Sequence, residues 1–195
     1  MSPQKLRRRL QLSSDTVGLE LQDSVRKFGL PPLADDTTEI LVIGTMPSDL
    51  SLSKRQYYAH PSNDFWRLMG SVLNEEFGRL SYDNRVAALK RHRIGLWDIY
   101  HNCVRRGSLD CEIKVPELND FTILRGIAPR LRLLCFNGKK AAKSEDKLDH
   151  LGYKTCVLPS STGSKRKNSS ERVRVWKCAI EKSSEWSAPH PLSQS

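Results

Sequence analysis

No part of the sequence holds the roughly 20 consecutive apolar residues that a membrane-spanning helix needs. The N-terminus also lacks the apolar core of a signal peptide. Neither a membrane partner nor secretion is expected. The chain lacks the G-x-x-x-x-G-K-[ST] loop that cradles nucleotide phosphates and the G-x-G-x-x-G turn of dinucleotide binders. It also lacks the paired H-x-E and P-C-x-x-C segments of zinc deaminases. Cysteines are few and odd in number: Cys103, Cys111, Cys135, Cys156 and Cys178, with no C-x-x-C spacing. That argues against a disulfide framework and against a structural zinc. No metal and no organic cofactor is expected. A reducing intracellular compartment is: the nucleus or an organelle in a eukaryote, the cytoplasm in a bacterium. No acid-base pair of carboxylates stands out, and no internal repeat is present.

The scarce charge is the negative one. There are 22 Asp and Glu against 32 Lys and Arg, for a formal net charge of +10 and a pI near 9.6. Such an excess favours a polyanionic partner, because phosphates attract Lys and Arg and binding releases counterions. The 195 residues, 38% of them apolar, suit one domain with a full core. Residues 1–14, MSPQKLRRRLQLSS, are basic without a single acid. They read as a disordered tail, with a targeting address or a DNA-touching arm as alternatives. Residues 15–186 read as one α/β domain. The stretch 187–195, rich in Ser and Pro, reads as a second tail.

Hydrophobic pattern outlines the elements. A short helix is expected within residues 17–28, stopped by Gly29. Ile40 to Ile43 is an unbroken apolar run and predicts a buried parallel strand ending at Gly44. Ser62 is the expected cap of a helix whose Phe65, Leu68, Met69, Val72 and Leu73 share one face. Residues 84–92 predict another helix and 95–100 a short strand. Residues 131–136 predict a second buried strand, before Asn137-Gly138. Residues 141–151 predict a helix with Gly152 as its C-terminal stop. Residues 153–158 predict a third strand, and Ser170 should cap a basic helix through Val173, Trp176 and Ile180. Strands alternating with helices mean an α/β sandwich on a parallel sheet, which binds ligands beyond the carboxyl ends of its strands. The loops at Gly44–Pro47, Asn137–Gly138 and 159–163 should therefore converge on one cleft.

The stretch ILVIGTMPSDLSLSKRQYYAHPSNDFW, from Ile40 to Trp66, leaves a strand for a polar, aromatic loop before its helix. Such a loop builds a poor core and a good pocket. An asparagine amide donates and accepts, as a nucleobase edge requires. Tyrosines offer a stacking face.

This segment resembles the first motif region of the uracil-DNA glycosylase superfamily. It is most similar to the hypoxanthine (deoxyinosine) branch, with its G-S-x-P-S-x-x-S-L and Y-Y-A-H-P-x-N-x-F-W pattern. GLWD, SLDCEI, NDF, LCFNG and LPSST follow in family order, so the likeness covers residues 28 to 182. It implies a three-layer α/β/α sandwich with a mostly parallel four-stranded sheet. It also implies a monofunctional enzyme, expected as a monomer, acting on double-stranded DNA that contains a deaminated base. Hypoxanthine, or uracil, would be hydrolysed from its sugar to leave an abasic site.

The resemblance suggests roles for single residues. Met46 stands where classical relatives carry an Asp or Asn, and it cannot activate water. The water-positioning residue would be Asn63, whose plain alternative is a helix cap. Asn137 would read the base, unless it is only a turn residue before Gly138. Tyr57 or Tyr58 would stack on the base, or else pack against Trp66. His60 would touch base or phosphate, or be structural. Gly44, Met46 and Phe136 would complete the base pocket. Ser160, Ser161 and Thr162 would grip the DNA backbone. The relatives continue with Ser-Pro-Ala-Asn where this chain reads Gly163-Ser164-Lys165-Arg166-Lys167-Asn168, which leaves the wedge residue unassigned. Lys165, Arg166 and Lys167 would add phosphate contacts or form a solvated loop. Two other readings share these features: a uracil or mismatch glycosylase, and a non-catalytic damage-binding module.

Overall fold

The structure, a computed structural model, describes residues 25–162 and 169–186. Both expected tails, the first part of the 17–28 helix, Gly163 and the Lys165–Lys167 triplet lie outside the described residues. Seven strands are described: β1 (Val25–Phe28), β2 (Ile40–Gly44), β3 (Ile94–Asp98), β4 (Tyr100–Arg105), β5 (Lys114–Leu118), β6 (Leu133–Asn137) and β7 (Lys154–Leu158). The helices are α1 (Asp49–Lys54), α2 (Phe65–Leu73), α3 (Tyr82–Arg91), the single turn α4 (Leu124–Ile127) and α5 (Ser169–Lys182).

The central sheet has four parallel strands in the order β3-β2-β6-β7. Its β2 is buried along its whole length, which is why both faces are apolar. Alternation sends Ile40 and Val42 to one face, against Phe65, Met69, Leu89 and Trp176 of α2, α3 and α5. Leu41 and Ile43 go to the other, against Phe121, Leu124, Leu148 and Leu151. The result is the expected three-layer sandwich. Parallel strands bring all their carboxyl ends to one edge, where Gly44 pairs with Asp98 and Asn137 with Leu158.

Several local expectations need correction. Residues 25–28 do not end a helix: Val25 and Phe28 are exposed, and the backbone instead pairs antiparallel with β4. β1, β4 and β5 form a second, three-stranded sheet that no hydrophobic alternation announced. Its middle strand buries Asn102 and Arg105, and β5 is exposed throughout. The 141–151 helix is two 3-10 segments, Ala141–Ser144 and Asp146–Leu151, although Gly152 stops it in the left-handed region (φ 75°) as expected. Ser62 does not cap α2. Its backbone N–H donates to the His60 ring at Nδ1, 3.2 Å away, and its hydroxyl lies 2.7 Å from the same nitrogen. α5 begins at Ser169, so Ser170 lies inside it.

Candidate functional site

The loops that leave β2, β6 and β7 close around a cavity of about 140 Å³. Gly44 to Pro47, Asn137 and Ser160 to Thr162 line it, as the sheet geometry demanded. The loop between α1 and α2 adds Tyr57, Tyr58, His60 and Asn63.

Asn63 lies just before α2. Its Oδ1 accepts from the Phe65 N–H at 3.0 Å, which satisfies one of the free donors at the helix start. The same Oδ1 accepts from the Ser161 hydroxyl at 3.0 Å. The capping interpretation of Asn63 is thus correct, but it occupies only the oxygen. The Nδ2 amide has no hydrogen-bond partner among the described residues. A bridge between Asn63 and Thr162 joins this loop to the one after β7.

Asn137 ends β6. Its Nδ2 donates to Tyr58 Oη at 3.0 Å and to Ser161 Oγ at 2.9 Å, while its Oδ1 accepts from the Ser161 N–H at 2.8 Å. Gly138 follows at φ 100°, and a Cβ there would meet Ser160 Cβ at 2.9 Å. A side chain at 138 would be strained twice over, which explains the Asn-Gly pair at this strand end.

The two tyrosines separate. Tyr57 is 3% exposed; its hydroxyl donates toward the Leu30 and Pro31 carbonyls, and its own carbonyl accepts from Trp66 Nε1. It is a wall of the core as well as of the cavity. Tyr58, held at φ 53°, stacks one face on Phe65 at 3.9 Å and turns its hydroxyl to Asn137. A left-handed non-glycine residue costs about 1–3 kcal/mol and tends to mark a functional site. Burial pushes both phenols well above their ordinary range. His60 is exposed at the rim, and Met46 is buried in the wall.

One expected site residue lies elsewhere, and another lines the cavity without facing solvent. Phe136 is fully buried in the opposite core layer, because one residue along a strand reverses the face. Ser161 is fully buried too, and its hydroxyl lies between the two asparagines rather than turned to solvent. Ser160 and Thr162 remain at the surface of that loop, their hydroxyls 3.1 Å apart.

The structure adds two carboxylates that no motif in the sequence singled out. Asp98 and Asp110 both line the cavity. Asp98 ends β3 beside Gly44 and is 4% exposed. Its Oδ1 lies 2.3 Å from where a Cβ on Gly44 would stand. Its Oδ2 is buried with no hydrogen-bond partner among the described residues. Burial, and then the charge of Asp110, push its carboxyl up to about 7, against the pull of the Arg105 guanidinium. Burial also raises Asp110, opposed by a hydrogen bond with Thr45 and by the charges of Lys140 and Arg105. Lys139 and Lys140 stand exposed immediately after Asn137-Gly138 and were likewise unforeseen.

Helix α5 braces the site from behind. Arg172 donates to Asp64 Oδ2 at 3.0 Å, and both side chains are 5% exposed. The Asp64 N–H in turn donates to the Ser161 carbonyl at 3.0 Å. Among the described residues no cluster of His, Cys, Asp and Glu could hold a metal ion, and no helix is long and apolar enough to cross a membrane.

Residues 31–182 match the family model described as the uracil DNA glycosylase superfamily. A hypoxanthine DNA glycosylase of Methanosarcina barkeri is 47% identical over 152 residues, covering 78% of this chain and 96% of that protein. A hypoxanthine DNA glycosylase of Methanosarcina acetivorans is 46% identical over 154 residues, covering 79% and 98%. The solution NMR structure of a candidate uracil DNA glycosylase from Methanosarcina acetivorans shares the fold with a TM-score of 0.73. It is 44% identical and covers 82% of this chain and 99% of that one.

Proposed function

The chain belongs to the uracil DNA glycosylase superfamily, and we propose that it works there as a monofunctional DNA N-glycosylase that removes hypoxanthine, and uracil more slowly. The observation that carries this reading is the Asn63–Ser161–Asn137 chain of hydrogen bonds across the cavity. It holds the Asn63 amide, unpartnered among the described residues, beside a pocket walled by Tyr57 and Tyr58. A base must leave the helix to reach such a site. Extrusion costs a few kcal/mol, least where the pair is already a mismatch, as with hypoxanthine opposite thymine.

With the base in the cavity, Asn63 Nδ2 donates to a water and fixes it on the sugar side. The water's remaining lone pair is aimed at C1′ as the glycosidic bond lengthens. The base leaves with the electron pair of the glycosidic bond, and the water's proton passes through solvent to that departing base; the amide does not take it, so the gain is one of positioning. Asn137 keeps Ser161 and Tyr58 in place and offers the remaining lone pair of its Oδ1 to the base. Among the described residues no lysine lines the cavity, and on this reading the product is an abasic site rather than a cut strand. Free thiols at all five cysteines suit a reducing compartment.

The backbone grip comes from Ser160, Thr162, Lys139 and Lys140 on a chain of net charge +10. Lys140→Ala is expected to weaken binding to every duplex equally and to lower the slope of log K against log salt by about 1. Titrating binding at several salt concentrations checks it. Gly44→Ala is expected to slow excision by about 10²-fold, since its Cβ displaces Asp98 and crowds the base.

The reading is tested by single-turnover excision. End-labelled duplexes carry one hypoxanthine or one uracil opposite each normal base and are treated with hot alkali afterwards. Breaks at the lesion, fastest for hypoxanthine, are expected. A chain that binds the lesion without ever producing alkali-labile sites would instead be a damage-binding module.

A further inference from the structure

Asp98 has no part in the scheme above, yet it is the least satisfied group in the cavity. Its Oδ1 is packed against the Cα of Gly44, and its Oδ2 is buried without a partner among the described residues. A buried carboxylate in that position is costly, and a neutral carboxyl much less so. Evolution toward stability alone would favour an apolar residue here. We propose that Asp98, which lines the cavity, reads the extruded base: as a neutral acid, its carboxyl hydroxyl donates a hydrogen bond to the carbonyl oxygen that deamination leaves on hypoxanthine or uracil. The inference rests on the glycosylase reading and adds its specificity element.

Neither asparagine amide is available for that carbonyl. Both hydrogens of Asn137 Nδ2 are engaged, by Tyr58 and by Ser161. Asn63 Nδ2 is assigned to the water. Deamination replaces an exocyclic amine with a carbonyl, so adenine or cytosine would point N–H groups at the Asp98 hydroxyl. Donor would face donor, and the normal base would leave a buried polar group unpaired. A site built to hydrogen-bond its substrate rejects analogues strongly for that reason. As the glycosidic bond breaks, negative charge spreads onto the same carbonyl oxygen. The contact therefore strengthens in the transition state. The O–H bond stays with Asp98 throughout, and no proton changes hands there.

The groups around Asp98 fix the pH response. Asp110 faces it from the segment after β4, Arg105 from β4, and Tyr57 and Tyr58 from the loop before α2, with His60 at the rim and Lys140 beside Asp110. Burial and Asp110 hold the acid form up to about pH 7. The donor is present below that value and lost as pH rises through it. Stability follows the same sign. The acid is neutral in folded and unfolded chains at low pH, and the penalty for burying it grows as pH climbs toward 7.

The test uses the full chain and sub-saturating single-turnover excision of hypoxanthine opposite thymine, from about pH 5.5 to about pH 9. Wild type is expected to fall about tenfold per pH unit above roughly neutral pH. Asp98→Asn keeps a donor and should retain excision within about tenfold while losing that alkaline limb. Asp98→Ala should lose about 10²-fold at the acid end. Both variants should melt higher than wild type at alkaline pH, by a margin that shrinks as pH falls. That readout shows they are folded and does not depend on activity. Excision by Asp98→Ala at the wild-type rate, or an Asn variant as slow as the Ala one, would overturn the proposal while leaving the glycosylase standing. If wild type itself excises nothing, the glycosylase reading falls. The Asp98 role then stands or falls on whether preferential binding of the hypoxanthine duplex disappears in Asp98→Ala.

Discussion

Asn63→Ala is expected to lower single-turnover excision of hypoxanthine by about 10²-fold or more while leaving lesion binding within a few-fold. The substitution removes two contacts of different kind. Loss of Oδ1 frees the Phe65 N–H and the Ser161 hydroxyl, which costs about 1 kcal/mol of stability, as for other helix-start caps. Loss of Nδ2 removes the donor that holds the water. Asn63→Asp separates them. A carboxylate there still accepts from Phe65 and Ser161, so the fold is retained. In place of the amide it offers an oxygen that accepts a proton from water, so excision should exceed that of Asn63→Ala by at least about tenfold. If both variants excise at the wild-type rate, Asn63 is a cap and nothing more. Melting curves alongside the excision rates distinguish the two.

The legible parts of this molecule are those whose cause is local. Ile40–Ile43 and Leu133–Phe136 are strands because unbroken apolar runs have no other home than a sheet covered on both faces. Their polar ends had to share an edge once they were parallel, so the cavity was placed before any motif was invoked. Met46 and Asn137 sit in those loops and line the cavity, whereas the roles expected of Asn63, Asn137 and Tyr58 came from the resemblance to the family. Phe136 failed for the same reason that Asn137 succeeded: neighbours on a strand face opposite ways. Ser161 failed because a hydroxyl in a surface-looking loop can be buried by another loop, here the one carrying Asn63. The second sheet was invisible because β4 buries Asn102 and Arg105 and β5 is exposed along its length, so neither shows apolar alternation. Asp98 was read only as part of the 95–100 strand and of the GLWD motif. Its partnership with Gly44 comes from the β2–β3 register, and its meeting with Asp110 from the chain returning through β4. Long-range register of that kind leaves no mark in a local window.

The second large effect is expected behind the site rather than in it. Arg172→Ala should destabilise the fold by about 3 kcal/mol, because it takes the buried guanidinium away from the buried Asp64 carboxylate. For a chain of this size that is a fall in melting temperature on the order of 10 °C. The exposed Arg67, which also reaches Asp64 at 2.9 Å, is too well solvated to compensate. Asp64→Leu combined with Arg172→Met removes both charges and should recover most of that loss, since an apolar pair of similar volume needs no desolvated ions. Excision should then follow stability rather than charge. What Asp64 gives the site directly is its backbone N–H to the Ser161 carbonyl, and that donor survives any side-chain change. A double variant that regains its melting temperature but not its excision rate would show that the ion pair sets the position of the Asn63–Ser161–Asn137 chain. One that regains both would confine the pair to fastening α5 against the loop after β7.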